Sequence, residues 1–436
     1  MTLTIPAPRR LAVLIAAMAL VTGALFLLLR TPEPAGPPHE ASAVTVVPGA
    51  SAEARITTLQ RAVREAPRNV DAATALAQAY LQRVRETGDP SFYARADGVL
   101  ARARRLSPSD PAVLTTAGTL ALARHDFRGA RSLGEAARHA APESTLPDAV
   151  LVDAYVELGR YDDAARTLQR MVDVKPTLAA YARVSYLREL LGDQPGAVRA
   201  MRLAVAAGSG AAENVAYVQT LLGDLELRRG RSDAAARAYR EALAVFPSHL
   251  PAQAGLARVD AAAGRLRPAI ARLQRVVDRL PLPEYVTALG ETQLAAGRAA
   301  EARRTLALVG AEERLLQAAG VNTDIDLALF DAEHGDARRA VSLARAGWEA
   351  APSVRSADAL AAALTAAGRG EEALRWARRA LALGWREPAV LEHAARAAYA
   401  AGQDRLARRW IRAALRGADA LSPWRAMRAR RLEASL

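Results

Sequence analysis

The sequence predicts an all-α protein: an α-solenoid superhelix of about ten helix-turn-helix repeats, preceded by one N-terminal transmembrane helix. Three observations predict this fold. Alanine, leucine and arginine dominate the 436 residues, and such a composition favours helices. Alanine, glycine and proline recur at a fixed interval along most of the chain. An uncharged apolar segment lies close to the N-terminus.

The uncharged segment Leu11–Leu29 predicts a transmembrane signal anchor. Its nineteen residues, at a rise of about 1.5 Å each, reach about 28 Å and nearly match a hydrocarbon core of about 30 Å. Arg9 and Arg10 precede it, whereas only Arg30 follows it directly. By the positive-inside rule, residues 1–10 form a cytoplasmic stub and the rest of the chain lies outside the cytoplasm. We therefore expect a single-pass protein of the bacterial plasma (inner) membrane.

A cleaved signal peptide is the alternative interpretation of this segment, with the small residues at 41–43 as its processing site. Cleaved signals usually have an apolar core of about 7–15 residues, which is shorter than this one, so the length favours an uncleaved anchor. Residues 30–51 hold five prolines and no helical apolar period, which predicts an extended, semi-rigid linker.

The periodic part of the chain is defined by three columns of residues. An alanine recurs every 33 or 34 residues, except for two steps of 38, at Ala96, Ala130, Ala164, Ala197, Ala235, Ala269, Ala302, Ala340, Ala373 and Ala407. A glycine precedes eight of these alanines by five residues, at Gly159, Gly192, Gly230, Gly264, Gly297, Gly335, Gly368 and Gly402. Ser91 and His125 occupy the other two glycine positions. A proline follows six of the alanines by twelve residues, at Pro108, Pro142, Pro176, Pro247, Pro281 and Pro352.

Each column has a physical role in a helix pair. Glycine ends the first helix because it takes a left-handed conformation without a Cβ penalty. Alanine begins the second helix at the closest approach of the two axes, where a larger side chain would push them apart. Proline stops the second helix. One pair cannot bury its apolar face alone, so stacking of repeats makes the array at residues 52–436 the stable unit.

The phrase "GRYDDAARTLQRMVDVKP" at 159–176 and its period resemble the tetratricopeptide repeat, over about residues 53–416. The resemblance implies that first helices line the inside of a superhelical groove and second helices form its outside. Residues 53–66 are predicted to be a lone capping helix, and residues 423–434 a final solvating helix. A 105-residue interval also separates Pro142, Pro247 and Pro352, from either a copied three-repeat cassette or two unrelated insertions at 206–214 and 311–322.

The sequence offers little chemistry for catalysis. The absence of cysteine excludes disulfides, thiol catalysis and cysteine-bound metal. None of the six histidines lies three to five residues from another, so no paired metal ligands occur on a helix face. No segment outside the array is long enough for a catalytic domain. We expect a protein that is not an enzyme and uses no cofactor.

The inner and outer faces that the resemblance implies carry different charges. The acidic candidates for the groove are Asp153, Glu157, Glu189, Asp224, Glu291, Asp326, Glu333, Asp358 and Glu392, diluted by Arg183, Arg258 and Arg396. Most other arginines fall on the second helices. The net charge of +13 therefore accompanies an acidic-to-mixed groove, predicted to bind a protein or extended peptide.

Three functions follow as expectations. The leading one is a membrane-anchored scaffold for protein–protein interaction outside the cytoplasm. A second is an assembly factor for an envelope process such as cytochrome or polysaccharide biogenesis. The third, an arginine-driven binder of anionic polymer or nucleic acid, is disfavoured by the predicted outward topology and the scarcity of aromatic residues for stacking.

Overall fold

The computed structural model describes residues 52–208 and 212–436, and all regular structure in these ranges is helical. The first helices of successive pairs are α2 (Val70–Thr87), α4 (Pro111–Ala123), α6 (Leu146–Glu157), α8 (Leu178–Leu190), α10 (Ala212–Arg228), α12 (Leu250–Ala262), α14 (Pro283–Ala295), α17 (Asp324–His334), α19 (Val354–Ala366) and α21 (Pro388–Ala400). Their second helices are α3 (Ser91–Leu106), α5 (Phe127–Ala140), α7 (Tyr161–Val174), α9 (Gln194–Ala206), α11 (Ser232–Val245), α13 (Leu266–Val277), α15 (Ala299–Leu306), α18 (Ala337–Ala350), α20 (Gly370–Ala380) and α22 (Asp404–Leu415).

Four further elements lie outside these pairs. They are α1 (Ala52–Glu65), α16 (Val309–Ala318), a 3₁₀ turn (Ala418–Ala420) and α23 (Pro423–Ser435). Helix α1 occupies the residues at which the sequence predicted an N-terminal capping helix. No helix in the described ranges combines the length and apolar character that a bilayer crossing requires. The predicted anchor Leu11–Leu29 and the linker 30–51 lie outside the described residues.

The alanine column is confirmed as the contact line of each helix pair. All ten alanines are completely buried. Bulky side chains one helical turn further on, Leu168, Met201, Tyr239 and Leu273, are also buried, as expected for partners on the same face. Local spacing therefore fixes the packing of neighbouring helices.

The glycine column is confirmed at all but one of its positions. Those glycines adopt φ values between +68° and +76° at the end of a first helix. Gly335 is the exception, because it closes α17 with φ −126° and ψ −142°. His125 takes the glycine position after α4 with φ +58°, and its Nδ1 lies 2.6 Å from the Asn322 carbonyl oxygen. That long-range contact supports a conformation that non-glycine residues rarely adopt.

The two 38-residue steps are built differently. In the first step α10 is lengthened to 17 residues, whereas in the second a shortened α15 of 8 residues is followed by the additional helix α16. Part of the second insertion, at residues 311–322, is therefore helical. The unlike structures favour two separate insertions over a copied cassette.

Turns far apart in the sequence touch one another. The Asn322 amide donates to the Arg124 carbonyl oxygen over 3.0 Å. A Cβ on Gly159 would lie 2.4 Å from the Pro352 carbonyl oxygen, and one on Gly192 would lie 2.6 Å from that of Gly384. The array therefore coils tightly enough for early repeats to pack on late ones, at what we term the inter-turn seam.

Helix α19 fills the interior at this seam. Its 11 consecutive residues Val354–Leu364 are all buried. Alanines on α19, such as Ala357 and Ala361, share an apolar cluster with Leu151 of α6 and Tyr186 of α8. Because alanine has a short side chain, these helices approach closely and leave little open groove between them.

The sequence predicted that the C-terminal helix is a solvating end cap, but the structure gives α23 a different position. Helix α23 packs against α14 as well as α22, and its side chains reach α17 and α21. It therefore lies across the inner face of the array. The repeat pattern reports contacts between consecutive helices only, so it predicts that α23 lies at the end of the stack.

Candidate functional site: the inner face of the array

A ladder of carboxylate–arginine ion pairs and carboxylate–histidine contacts joins successive first helices along the inner face. Each pair links an acidic side chain on one first helix to an arginine or histidine on the next. The members are Asp153–Arg183, Glu189–Arg228, Asp224–Arg258, Glu291–His334, Asp326–Arg355 and Asp358–His393. The repeat places corresponding inner positions side by side, so the ladder follows from the stacking of like helices.

The Asp153–Arg183 pair shows the geometry of the ladder most clearly. Arg183 Nε donates to Asp153 Oδ1 over 3.1 Å, and its Nη2 donates to Oδ2 over 2.8 Å. Both side chains are 1% exposed. Burial raises the pKa of Asp153 to about 6, and the Arg183 guanidinium limits that rise. The carboxylate is therefore charged at neutral pH and fully paired.

This arrangement differs from the predicted acidic groove, because most of its acidic residues are buried or paired. Asp153, Glu157, Glu189, Glu291 and Asp358 are buried, while Asp224, Asp326 and Glu333 are half-buried. Arginines that the sequence interpretation treated as diluting the negative charge instead bond directly to it. Neighbouring first helices lie close enough to bury these side chains between them. The residue pattern of a single helix cannot show this burial. Of the predicted groove residues, Glu291, Glu333 and the buried Glu392 lie where a further helix docks.

Glu157 stands apart from the ladder. Its side chain is 2% exposed, and within the described residues its Oε1 has no hydrogen-bond partner. Burial raises its pKa to about 7, with Arg355 opposing the rise and Asp153 and Asp326 adding to it. Glu157, Arg355 and His125 line a cleft at the inter-turn seam of about 20 Å³, the scale of a single water molecule.

Helix α23 completes a cluster of charges on α14, α17 and α21. Arg425 Nη2 bonds to Glu392 Oε2 on α21, and Arg428 Nη1 pairs with Glu333 Oε2 on α17. Arg396 also pairs with Glu333. Burial alone would raise the pKa of Glu333, but the guanidiniums of Arg396, Arg425 and Arg428 outweigh it and lower that pKa. Both carboxylates therefore stay ionised in a buried setting.

An aromatic contact lies beside these charges. The ring centroids of Trp424 and His334 are 5.0 Å apart, and the Arg428 guanidinium lies 4.4 Å from the Trp424 centroid. His334 Nε2 lies 2.8 Å from Glu291 Oε1. Trp424 is therefore held between a histidine of α17 and an arginine of its own helix, and we name Trp424, Arg425 and Arg428 the anchor residues of α23.

Glu333, Glu392 and His393 could hold a metal ion by distance alone, because one ligand atom of each lies within 4.8 Å of the others. However, Arg396 and Arg425 pair with these carboxylates, and Arg425 also contacts His393 Nε2. The guanidiniums of Arg396 and Arg425 supply the positive charge that a metal ion would supply, so the arrangement is an ion-pair cluster.

The convex face carries a different group of residues. The indole centroids of Trp348 on α18 and Trp376 on α20 are 4.8 Å apart. The Arg379 guanidinium lies 4.5 Å from the first ring and 5.7 Å from the second. Exposed Arg375 and Arg378 flank this platform, so an arginine–indole surface faces solvent on second helices.

The anchor residues were missed by the sequence interpretation. Trp424, Arg425 and Arg428 occur at positions i, i+1 and i+4 of a helix whose first turn contains no acidic residue. Such spacing places the first and last of them on one helix face. A tryptophan and an arginine one helical turn apart were the available signal, but this spacing does not indicate which surface the helix meets.

Comparison with protein families matches residues 121–191 and 226–291 to the tetratricopeptide repeat model. The helix pairs, their alanine and glycine columns and this match support the tetratricopeptide resemblance. The matched segments contain all of α5–α8 and α11–α13, and they include His125, where the glycine column is interrupted. The class of protein defined by the fold is an all-α helical-repeat solenoid.

Solved structures show similar helical repeats over parts of the chain. TTC0263, a tetratricopeptide protein of Thermus thermophilus, is 24% identical with a TM-score of 0.35, covering 37% of this chain and 87% of that one. PilW, described as a type IV pilus biogenesis factor, is 21% identical with a TM-score of 0.39, covering 48% and 97%. YrrB, described as having an unusual peptide-binding site, is 20% identical with a TM-score of 0.28, covering 46% and 97%. None of the curated proteins compared with the chain matches it.

Proposed function

We propose that this protein is a membrane-anchored tetratricopeptide scaffold that binds a protein partner through the inner face of its array. The carrying observation is that this face already holds a helix through side-chain contacts, at α14, α17 and α21. Repeat arrays use extended concave surfaces to bind other chains, which agrees with this role. The match to the tetratricopeptide repeat supports the same class of function.

The location belongs to the proposal as well. The apolar segment Leu11–Leu29 anchors the chain, and Arg9 and Arg10 keep its N-terminus in the cytoplasm. The array then lies outside the cytoplasm and positions its partner near the membrane. An assembly factor for an envelope process has the same architecture and remains the alternative within this proposal.

Topology is tested with reporter fusions at Leu436 of the full chain. Alkaline phosphatase functions after export, so we expect an active fusion in intact cells. A reporter that functions only in the cytoplasm, fused at the same residue, is the matched control and should be inactive. The opposite pair of results would place the array in the cytoplasm and overturn the proposed location.

Partner binding is tested by photo-crosslinking from the two faces. A photoreactive residue at Thr287 on α14, one helical turn before Glu291, should crosslink to the partner. The same residue at exposed Arg303 on α15 is the outer-face control. Crosslinks from Arg303 and none from Thr287 would contradict binding on the inner face.

The platform formed by Trp348, Trp376 and Arg379 favours a second candidate function, the binding of an anionic polymer on the convex face. Guanidiniums stacked on indoles remain available to anionic groups. Replacing Arg375, Arg378 and Arg379 by glutamine should weaken binding to heparin, a model polyanion, and flatten its salt dependence. Equal heparin affinity of the wild-type and variant chains would remove this candidate.

A further inference from the structure

We propose that α23 is a displaceable occupant of the inner face, and that the partner docks there with a helix carrying an aromatic residue followed by arginines one and four positions later. This inference rests on the proposed function and names the chemistry of the partner. It assigns the recognition site to Glu291, Glu333 and Glu392 of the array and to His334 beside them.

The manner in which α23 is held supports displacement. Ala426 and Ala429 are its buried residues, whereas Arg430 and Arg431 on the same helix are exposed. Leu432 packs against the apolar cluster that contains Ala395 and Ile411, and Glu433 pairs with Arg412 of α22. The anchor residues supply the remaining ion pairs and the indole stack. By comparison, α19 is buried over 11 consecutive residues and belongs to the core. A helix that buries only two small alanines completely and is otherwise partly exposed can be replaced by another helix that presents the same groups.

The charge at the site determines what can replace α23. With α23 withdrawn, Glu333 and Glu392 share Arg396, and Glu291 keeps His334. A buried carboxylate that loses its cation is strongly unfavourable, so the vacated surface selects a cationic ligand. The site is therefore complementary to a positively charged helix.

Acceptors of the array surround the cationic group of Arg425. Arg425 Nη2 contacts Glu392 Oε2 and His393 Nε2, and it lies 3.4 Å from the Ala389 carbonyl oxygen. An aromatic residue one position earlier would cover His334, as Trp424 does now.

The connection between α22 and α23 makes the resident helix an effective competitor. A few residues and the 3₁₀ turn Ala418–Ala420 join the two helices. A short tether of this kind gives an effective concentration in the millimolar range. A free helix of equal intrinsic affinity is therefore excluded until α23 is weakened or a tighter partner arrives.

The test uses the full chain and a labelled peptide with the sequence of residues 421–436 as the probe. In the Arg425→Gln/Arg428→Gln variant the resident helix loses its ion pairs and the array keeps its carboxylates. We expect this variant to bind the peptide at least tenfold more tightly than the wild-type chain does. Amide hydrogen exchange in α23 should become faster, while exchange in α19 should not change.

The matched control is Arg430→Gln/Arg431→Gln, which removes the same charge from the same helix at exposed positions. It should bind the peptide as weakly as the wild type. A peptide with glutamine at both anchor arginines should not bind the first variant. If that peptide bound equally well, the proposed arginine chemistry would be wrong.

Two results would overturn the inference. Faster amide exchange in α23 without peptide binding would show that the surface under α23 is not a docking site. Loss of helicity throughout the array, in this variant and in the milder Trp424→Ala, would show that α23 is a structural part of the stack. Either result leaves the fusion and Thr287 crosslinking tests unaffected, so failure here is distinct from failure of the scaffold proposal.

Discussion

Glu157 is a buried acid whose protonation is linked to stability. Its pKa of about 7, against an ordinary value of 4.5, arises mainly from burial. The folded chain therefore keeps a proton that the unfolded chain releases between about pH 4.5 and 7. Stability falls as the pH rises through this window, because the folded state binds more protons there.

We expect Glu157→Gln to stabilise the protein at high pH. The amide carries no charge, so the free energy of unfolding should exceed the wild-type value by about 1–3 kcal/mol at pH 8. The difference should shrink towards zero near pH 4.5. Urea unfolding of both chains across this range measures it, with Glu143→Gln at an exposed position as the control. A pH-independent difference would contradict the raised pKa.

Tyr239 depends on two glycines from neighbouring first helices. A Cβ on Gly223 or on Gly255 would lie 2.4 Å from Tyr239 Cε1, and the ring is completely buried. The tyrosine hydroxyl also donates to Asp224 over 2.6 Å, which fixes the ring. The absence of a side chain at both glycines is therefore a packing requirement.

We expect Gly223→Ala to destabilise the protein by about 1–3 kcal/mol, because the added methyl overpacks against a ring that cannot move. Gly98→Ala on α3 is the matched control, because nothing lies within 4 Å of its Cβ. There the change should stabilise the helix by about 0.5–1 kcal/mol. Thermal melting should show a lower melting temperature for Gly223→Ala and a higher one for Gly98→Ala. Changes in the same direction would contradict this account.

At the scale of the element, the ladder sets how one first helix meets the next. Arg183 and Asp153 are both buried, so removing one partner leaves an uncompensated charge. Replacing both by apolar residues avoids that cost. The pair therefore specifies the packing of α6 on α8 more than it adds to the stability of the array.

We expect Asp153→Leu to destabilise the protein by about 3–5 kcal/mol, and Asp153→Leu/Arg183→Leu to recover most of that loss. The measurement is a double-mutant cycle by urea unfolding. Glu433→Ala, which breaks the exposed Arg412–Glu433 pair, should cost less than about 1 kcal/mol. Additive effects of the two buried changes would show that the pair is not coupled.

At the scale of the whole molecule, the inter-turn seam distinguishes two kinds of turn glycine. Both kinds have positive φ. Gly192 faces the Gly384 carbonyl oxygen of a distant turn, whereas no atom of the described residues lies within 4 Å of a Cβ on Gly368. Substitution at either position strains the local backbone, but only the first also pushes two distant repeats apart.

We expect Gly192→Ala to cost more stability than Gly368→Ala, which should lose about 1–2 kcal/mol through backbone strain alone. Gly192→Ala should also speed hydrogen exchange around Gly384, since the contact there must open. Exchange near Gly384 should remain at the wild-type rate in Gly368→Ala. Equal effects of the two substitutions would show that the seam contributes nothing.

Corrections to the sequence interpretation share one physical origin. The alanine and glycine columns encode contacts between consecutive helices, and those contacts are present throughout. The carboxylates at Asp153 and Glu189 were correctly placed on first helices, yet their exposure was wrong, because it depends on the neighbouring repeat. A signal did exist for α19, since the stretch "LAAALTAA" at 360–367 is apolar on every side and such helices are usually buried.

The sequence by itself determined the repeat, the positions of most turns and the buried alanines, because spacing over one helix pair is a local property of the chain. Only the tertiary structure decided that turns such as those at Gly159 and Pro352 touch, and that α23 lies on the inner face. Superhelical coiling sums a small rotation at every repeat, and no single repeat specifies that sum. The surface available to a partner is therefore set by the coiled array as a whole.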